Sequence, residues 1–170
     1  MPKLFTIGYE GSDIDCFVAT LKQARIKVLA DVRAVACSRK KGFSKRGLHA
    51  RLAKEGIEYI HFVDLGDPKP GRAAAKAGRH AEFIRIYRKH FSRSPARRAL
   101  LELQQVAQAQ PTCLLCFERD STTCHRSIVA NELSDVDFIV VNLRAEPSVH
   151  NAEHASSRPC RNHREGTAST

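Results

Sequence analysis

Five short apolar stretches, KLFTIG, KVLADVR, IEYIHF, TCLLCF and DFIVVNL, are spread along the chain with helix-patterned segments between them. No other feature narrows the possible folds as much. Short runs that are mostly apolar suit strands buried on both faces of a parallel sheet. Strands that alternate with helices are the mark of repeated βαβ units. The predicted fold class is therefore α/β: a single domain over residues 1–144, with a mostly parallel sheet of about five strands flanked by helices.

The intervening segments supply the details. Ser12 is the expected N-cap of a helix through DIDCFVATLKQAR, whose Ile14, Phe17, Val18 and Leu21 recur at helical spacing. Ser44 is the expected cap of KRGLHARLAKEG, with Gly56 as its stop. AEFIRIYRKHF reads as an amphipathic helix, and Ser94-Pro95 as the N-cap and first residue of the next, running through Gln108. Between them, Val63 to His80 packs four Gly or Pro residues into Gly66–Gly71 and reads as a long, basic, mobile loop. Residues 145–170 lack apolar periodicity and read as a disordered polar tail.

No run approaches the roughly 20 apolar residues of a membrane helix, so no membrane association is expected. The N-terminus leads directly into a strand pattern without an export signal, which predicts a cytoplasmic protein. In a reducing compartment the six cysteines are expected to be thiols or ligands rather than disulfides.

Charge is unevenly spread. The net charge is +10, and Arg33–Arg98 alone holds 18 basic residues against 5 acidic ones. Such a segment favours an anionic partner, either a nucleic acid or a nucleotide, or else is simply a solvated basic surface. Without interleaved aromatics it suits phosphate contact better than base stacking.

The chemistry concentrates in CLLCFERDSTTCHRSIVANEL, Cys113–Leu133, where a strand ends at Cys116 and a helix opens at Cys124. In parallel α/β sheets ligands bind beyond the carboxyl ends of strands. Alternation sets Cys116 and Glu118 on one side and Cys113 with Leu115 on the other, making Cys113 a core residue. Structural zinc on Cys113, Cys116, Cys124 and His125 is disfavoured by an unusual spacing and by the adjacency of Cys124 and His125; no metal or cofactor is expected. A reactive thiolate at Cys116 fits better, with Glu118 as acid or base and Cys124 as a resolving thiol. His125 and Arg126 in the first turn of the following helix join the catalytic set as cations that favour the thiolate; Arg126 and the helix N-terminus would hold the anion, with Ser127 a further anion-binding candidate. A Glu118–Arg126 ion pair that merely pins the loop is the alternative. Asp31, Arg33, Arg39, Tyr59 and His61 end strands or follow them and are further candidates for substrate and anion binding. For Asp31 and Arg33 the rival role is an internal ion pair, and for His61 a structural one.

The blocks TIGYEG, LADVRAVACSR, FSKRGL, IEYIHFVDLG and CFERDSTTCHRS resemble, in order and spacing over residues 3–143, the family called domain of unknown function 488. The resemblance implies an α/β fold and places Cys116, Glu118, Cys124, His125 and Arg126 at the family's main motif. It also places Asp31, Arg33, Tyr59 and His61 within its other blocks. Glu10 and Ala36-Cys37 depart from the family's pattern in the first two loops. At the level of layout, a strand ending in Asp-Val-Arg and a later strand ending in Cys resemble rhodanese-like sulfurtransferases and cysteine phosphatases. The ten residues from Cys116 to Arg126 exceed the tight anion loop of those enzymes.

These readings converge on an enzyme, or former enzyme, acting on a nucleotide, nucleic acid or sulfur-bearing substrate. Two rivals stand beside it: a non-enzymatic nucleic-acid-binding module, and a thiol redox or metal sensor. The sequence leaves the oligomeric state open.

Overall fold

The computed structural model describes residues 1–146, and the segment read as a polar tail lies outside the described residues from residue 147 onward. Five strands form one sheet: β1 (Lys3–Gly8), β2 (Val28–Asp31), β3 (Glu58–His61), β4 (Thr112–Cys116) and β5 (Ile139–Arg144). Their spatial order is β3-β2-β4-β1-β5, and every pairing is parallel. Six helices complete the α/β domain: α1 (Ile14–Gln23), α2 (Lys45–Ala53), α3 (Lys69–Lys76), α4 (His80–Phe91), α5 (Ser94–Ala109) and α6 (His125–Ser134).

Alternation along the strands feeds two cores. Leu29, Cys113 and Leu115 face Phe17, Leu21, Leu48 and Leu52 of α1 and α2. Ala30 and Leu114 face Phe83, Tyr87, Leu103 and Val129 of α4, α5 and α6. Cys113 is fully buried, as its place in the alternation predicts. Because β4 lies between β1 and β2, the carboxyl ends of these three strands adjoin, and Gly8, Asp31 and Cys116 terminate them side by side. Among the described residues, no helix is long and apolar enough to cross a membrane.

Three local expectations are corrected. The cap of α1 is Asp13, whose carboxylate accepts from the Cys16 N–H at 2.8 Å, while Ser12 donates to the Asp13 carbonyl. Arg93, not Ser94, caps α5, so Pro95 falls at its second position. The expected mobile loop at Val63–His80 is instead a 3-10 turn at Val63–Leu65 followed by α3. Pro68 precedes α3 and Pro70 lies in its first turn, where the missing N–H costs nothing. Leu65 and Ala74 then bury in the core and hold the segment down.

One glycine sets the distance between β1 and the loop after β4. A Cβ on Gly8 would overlap the carbonyl oxygen of Glu118. Gly8→Ala is therefore expected to destabilise the domain by about 1–3 kcal/mol, the usual cost of overpacking, measurable by urea unfolding.

Candidate active site

Cys116 closes β4 and is 4% exposed, beneath a cavity of about 210 Å³. Its Sγ lies 3.2 Å from Glu118 Oε2 and 3.9 Å from His125 Nδ1. Cys124 Sγ stands 3.8 Å from the same ring nitrogen. Extended backbone at Cys124, the N-cap of α6, turns it and the helical His125 toward one point, despite their adjacency in sequence. The other ring nitrogen, Nε2, is 2.7 Å from the Val32 carbonyl at the end of β2. A carbonyl only accepts, so Nε2 carries a proton and Nδ1 faces the thiols.

The electrostatics follow from this packing. A hydrogen bond from the Cys124 thiol holds Cys116 well below the ordinary thiol range; burial opposes it and the charge of His125 supports it. Burial, with the neighbouring Cys116 thiolate, pushes Cys124 up, so it stays a thiol. For His125 burial disfavours the charged ring, but the Cys116 thiolate raises it to about 9. Burial first, and then the Cys116 thiolate, lifts Glu118 to about 7. Once Cys116 is ionised, protonated Glu118 donates to it. The site is thus a thiolate–imidazolium pair flanked by a neutral thiol and a carboxylic acid.

Glu118 supplies a stability test. Its folded-state pKa lies above the unfolded value, so below about pH 4.5 both states are protonated and nothing is lost. As pH rises toward about 7 the unfolded chain releases a proton that the folded site retains, and stability falls. The melting temperature of Glu118→Gln relative to wild type is expected to rise across this window and then level off. Thermal scans at pH 4.5, 6 and 8 check it.

Tyr9, Arg33, Asp67 and Arg72 also line the cavity. Arg33 is not a free cation. It holds Asp31 through two bonds at 2.6 and 2.8 Å, and it donates to the Phe43 carbonyl at 2.9 Å and to Tyr9 Oη at 3.3 Å. Tyr59 donates to Asp31 at 2.6 Å, and burial first, then this carboxylate, push its hydroxyl above the usual range. His61 Nε2 donates to the Arg33 carbonyl at 2.8 Å. Buried Asp31, Arg33 and Tyr59, with half-buried His61, therefore form a frame that fixes the loop after β2.

Three of the sequence candidates point elsewhere. Arg126 is 1% exposed, and its guanidinium donates to the carbonyls of Glu118 and Arg119 and, at 3.3 Å, to Thr6 Oγ1. It pins the β4–α6 loop through backbone oxygens, not through the Glu118 carboxylate, and does not face the cavity. Ser127 donates to the Cys124 carbonyl at 2.8 Å and opens onto a different depression beside Asn142. Arg39 is exposed in the loop after β2 and does not line the cavity.

Sequence reasoning missed Asp67, Arg72 and Tyr9. Asp67 is 6% exposed, and its Oδ1 is the one buried side-chain oxygen or nitrogen without a hydrogen-bond partner among the described residues. A Cβ on Gly71 would overlap that oxygen, so the glycine makes room for the acid. Burial lifts Asp67 to about 6. The available signal was an acid placed between Gly66 and Pro68 just beyond a strand end, obscured by reading that segment as mobile.

Cys116, Cys124 and His125 bring their donor atoms within 4.8 Å of one another and, among the described residues, form a set that could hold a metal ion. Cys113, the fourth member of the set weighed in the sequence, is turned into the opposite core. A groove of about 410 Å³ elsewhere, lined by Arg88, Arg97, Asn131 and Glu132, is larger but contains no thiol and no buried acid. Chemistry rather than volume marks the smaller cavity as the candidate site.

Fold and site together define a parallel α/β domain with a cysteine–histidine centre at the carboxyl edge of its sheet. The family model described as Domain of unknown function DUF488 matches residues 13–133, and the chain belongs to this family. No curated protein and no solved structure matches it.

Proposed function

We propose that the protein is a thiol-dependent enzyme that transfers a group through Cys116, with a small sulfur-bearing molecule as substrate. The observation that carries this reading is the Cys116–His125 contact, in which the Val32 carbonyl fixes the ring so that Nδ1 meets the sulfur. A nucleophile oriented against a base that is itself oriented by a third group is the general architecture of covalent catalysis. A cavity of about 210 Å³ falls below the roughly 300 Å³ at which pockets for drug-sized ligands begin, which favours a sulfane donor over a whole nucleotide.

In the proposed step the Cys116 thiolate attacks the outer sulfur of a donor such as thiosulfate. The donor's S–S bond breaks, sulfite leaves with its electron pair, and Cys116 carries a persulfide. An acceptor thiolate then attacks the outer sulfur and restores the Cys116 thiolate. Glu118 gives its proton to the leaving sulfite or takes the one that an acceptor thiol sheds before it attacks, and Arg72 binds the anionic end of the donor. This chemistry requires reduced thiols, in keeping with a cytoplasmic location. The test is incubation with thiosulfate or a low-molecular-weight persulfide, followed by mass spectrometry of the Cys116 peptide. The expected result is a gain of one sulfur atom at Cys116 that a thiol acceptor removes. Sulfuration of exposed Cys37 but never of Cys116 would refute the reading.

A nucleic acid is proposed as a partner on a separate observation. Arg85, Lys89, His90 and Arg93 line a groove of about 400 Å³ along α4, within the basic segment. Phosphate contacts there would make the logarithm of the binding constant fall linearly with log salt, which anisotropy of a labelled oligonucleotide at several salt concentrations measures. No binding at low salt removes this partner.

A further inference from the structure

We propose that Cys116, Cys124 and His125 form a binding site for a soft divalent cation of the zinc class, and that the bound ion silences the Cys116 nucleophile. The inference rests on the reading of Cys116 as the reactive thiol, since it assigns a regulation to that same site.

Donor type comes first. Two sulfurs and an imidazole are the set that zinc prefers over harder cations. Spacing comes second. Ligand distances of about 2.3 Å to sulfur and 2.0–2.1 Å to nitrogen around a tetrahedral ion place S and N roughly 3.6 Å apart. The two Sγ–Nδ1 separations here are 3.8 and 3.9 Å. Both sulfurs and the ring nitrogen thus need only small movements to converge on one ion. The outer shell comes third. A metal-bound histidine commonly donates its other N–H to a carbonyl or carboxylate, which fixes the ring, and His125 Nε2 already does so toward Val32 at 2.7 Å.

Two further groups complete the environment. Glu118 Oε2, 3.2 Å from Cys116 Sγ, offers a fourth oxygen donor. Asp67, buried and with Oδ1 unpartnered, lines the same cavity and can accept from a water on the ion. An ion held this way occupies the sulfur lone pair needed for attack on a substrate. Ligation displaces the proton of Cys124, the proton on Nδ1 of His125 and, where Glu118 takes the fourth position, its carboxylic proton, and all go to solvent as the ion binds. Nothing is oxidised or reduced, and a chelator restores the thiolate.

The experiment uses the full chain, purified in chelator and then titrated with cobalt alone and zinc alone. Cobalt is expected to give thiolate charge-transfer absorption in the near ultraviolet at one ion per chain. Zinc at about a hundred times its Kd is expected to slow alkylation of Cys116 by about a hundredfold, reversibly on adding chelator. Cys124→Ser, nearly isosteric and a safeguard in case His125→Gln fails to fold, should weaken cobalt binding by more than about tenfold. Cys16→Ser should leave the spectrum unchanged. Absence of charge-transfer absorption, with alkylation indifferent to zinc, overturns the proposal and leaves the nucleophile reading intact. Stoichiometric cobalt binding with Cys116 unreactive even after chelation upholds the metal site and overturns the nucleophile reading instead.

Discussion

Alkylation of Cys116 by iodoacetamide is expected to change only modestly between pH 6 and 8, where an ordinary thiol slows about tenfold per unit as it protonates. The reason is the site's geometry. Cys116 is ionised well below the ordinary thiol range by the Cys124 hydrogen bond and by the positive charge of His125. Two departures from flatness are expected. Near pH 7 Glu118 loses the proton it donates to the thiolate, which frees the sulfur and raises the rate. Near pH 9 His125 loses its charge, the ion pair ends, and the unpaired thiolate becomes more nucleophile-like in its rate, giving a second rise.

His125→Gln removes the cation but keeps a side chain able to donate to Val32. Its profile should gain slope, the rate now falling from pH 8 to pH 6, but by less than the roughly hundredfold of an ordinary thiol because the Cys124 hydrogen bond remains. The shape of the profile is the diagnostic, because a low-pKa thiolate is also a weaker nucleophile and absolute rates partly cancel. Mass spectrometry of labelled peptides separates Cys116 from exposed Cys37. A Cys116 that stays unlabelled at every pH in the folded protein makes the loop a scaffold.

Arg126→Ala is expected to cost about 3–5 kcal/mol of stability, because two part-buried carbonyls and the buried Thr6 lose a charged donor together. For a domain of this size the melting temperature should fall by roughly 10–15 °C. Arg126→Lys should recover less than half, since an ammonium lacks the planar fork that reaches Glu118 and Arg119 at once. In the folded Arg126→Lys protein the Cys116 pH profile should stay as in wild type, because the guanidinium is spent on the loop backbone. A profile shifted to higher pH would instead give Arg126 a direct role in ionising the thiol. Denaturant titration and the labelling series on the same preparations check both parts.

The two results would separate what the sequence carries from what it does not. Hydrophobic period and strand–helix alternation are local properties, so the five strands, the α/β class and the inward turn of Cys113 were legible one segment at a time. The position of Cys116 at a strand's carboxyl end followed from the same local reading. So did the start of α6 at Cys124-His125, whose polar loop and helical periodicity lie within a few residues of each other. Partner choice is another matter. Arg33 and Arg126 look alike in sequence as cations near the carboxyl edge of the sheet, one just after a strand and one at a helix start. Only the packed sheet, with β4 between β1 and β2, decides that Arg33 closes on Asp31 and that Arg126 reaches back to the loop carbonyls.

Asp67 shows the same limit from the other side. Its segment is rich in Gly and Pro, which locally signals a loop, yet Leu65 and Ala74 bury against the core and carry the acid to the cavity. The tail at 147–170 lies outside the described residues. By itself the sequence determined the class of fold and the place of Cys116 and Cys124-His125 at a strand end and a helix start, because period and spacing are written along the chain. The tertiary structure alone decided which charges face the cavity, because a buried ion seeks whatever partner the packing brings within hydrogen-bond reach, however distant in sequence.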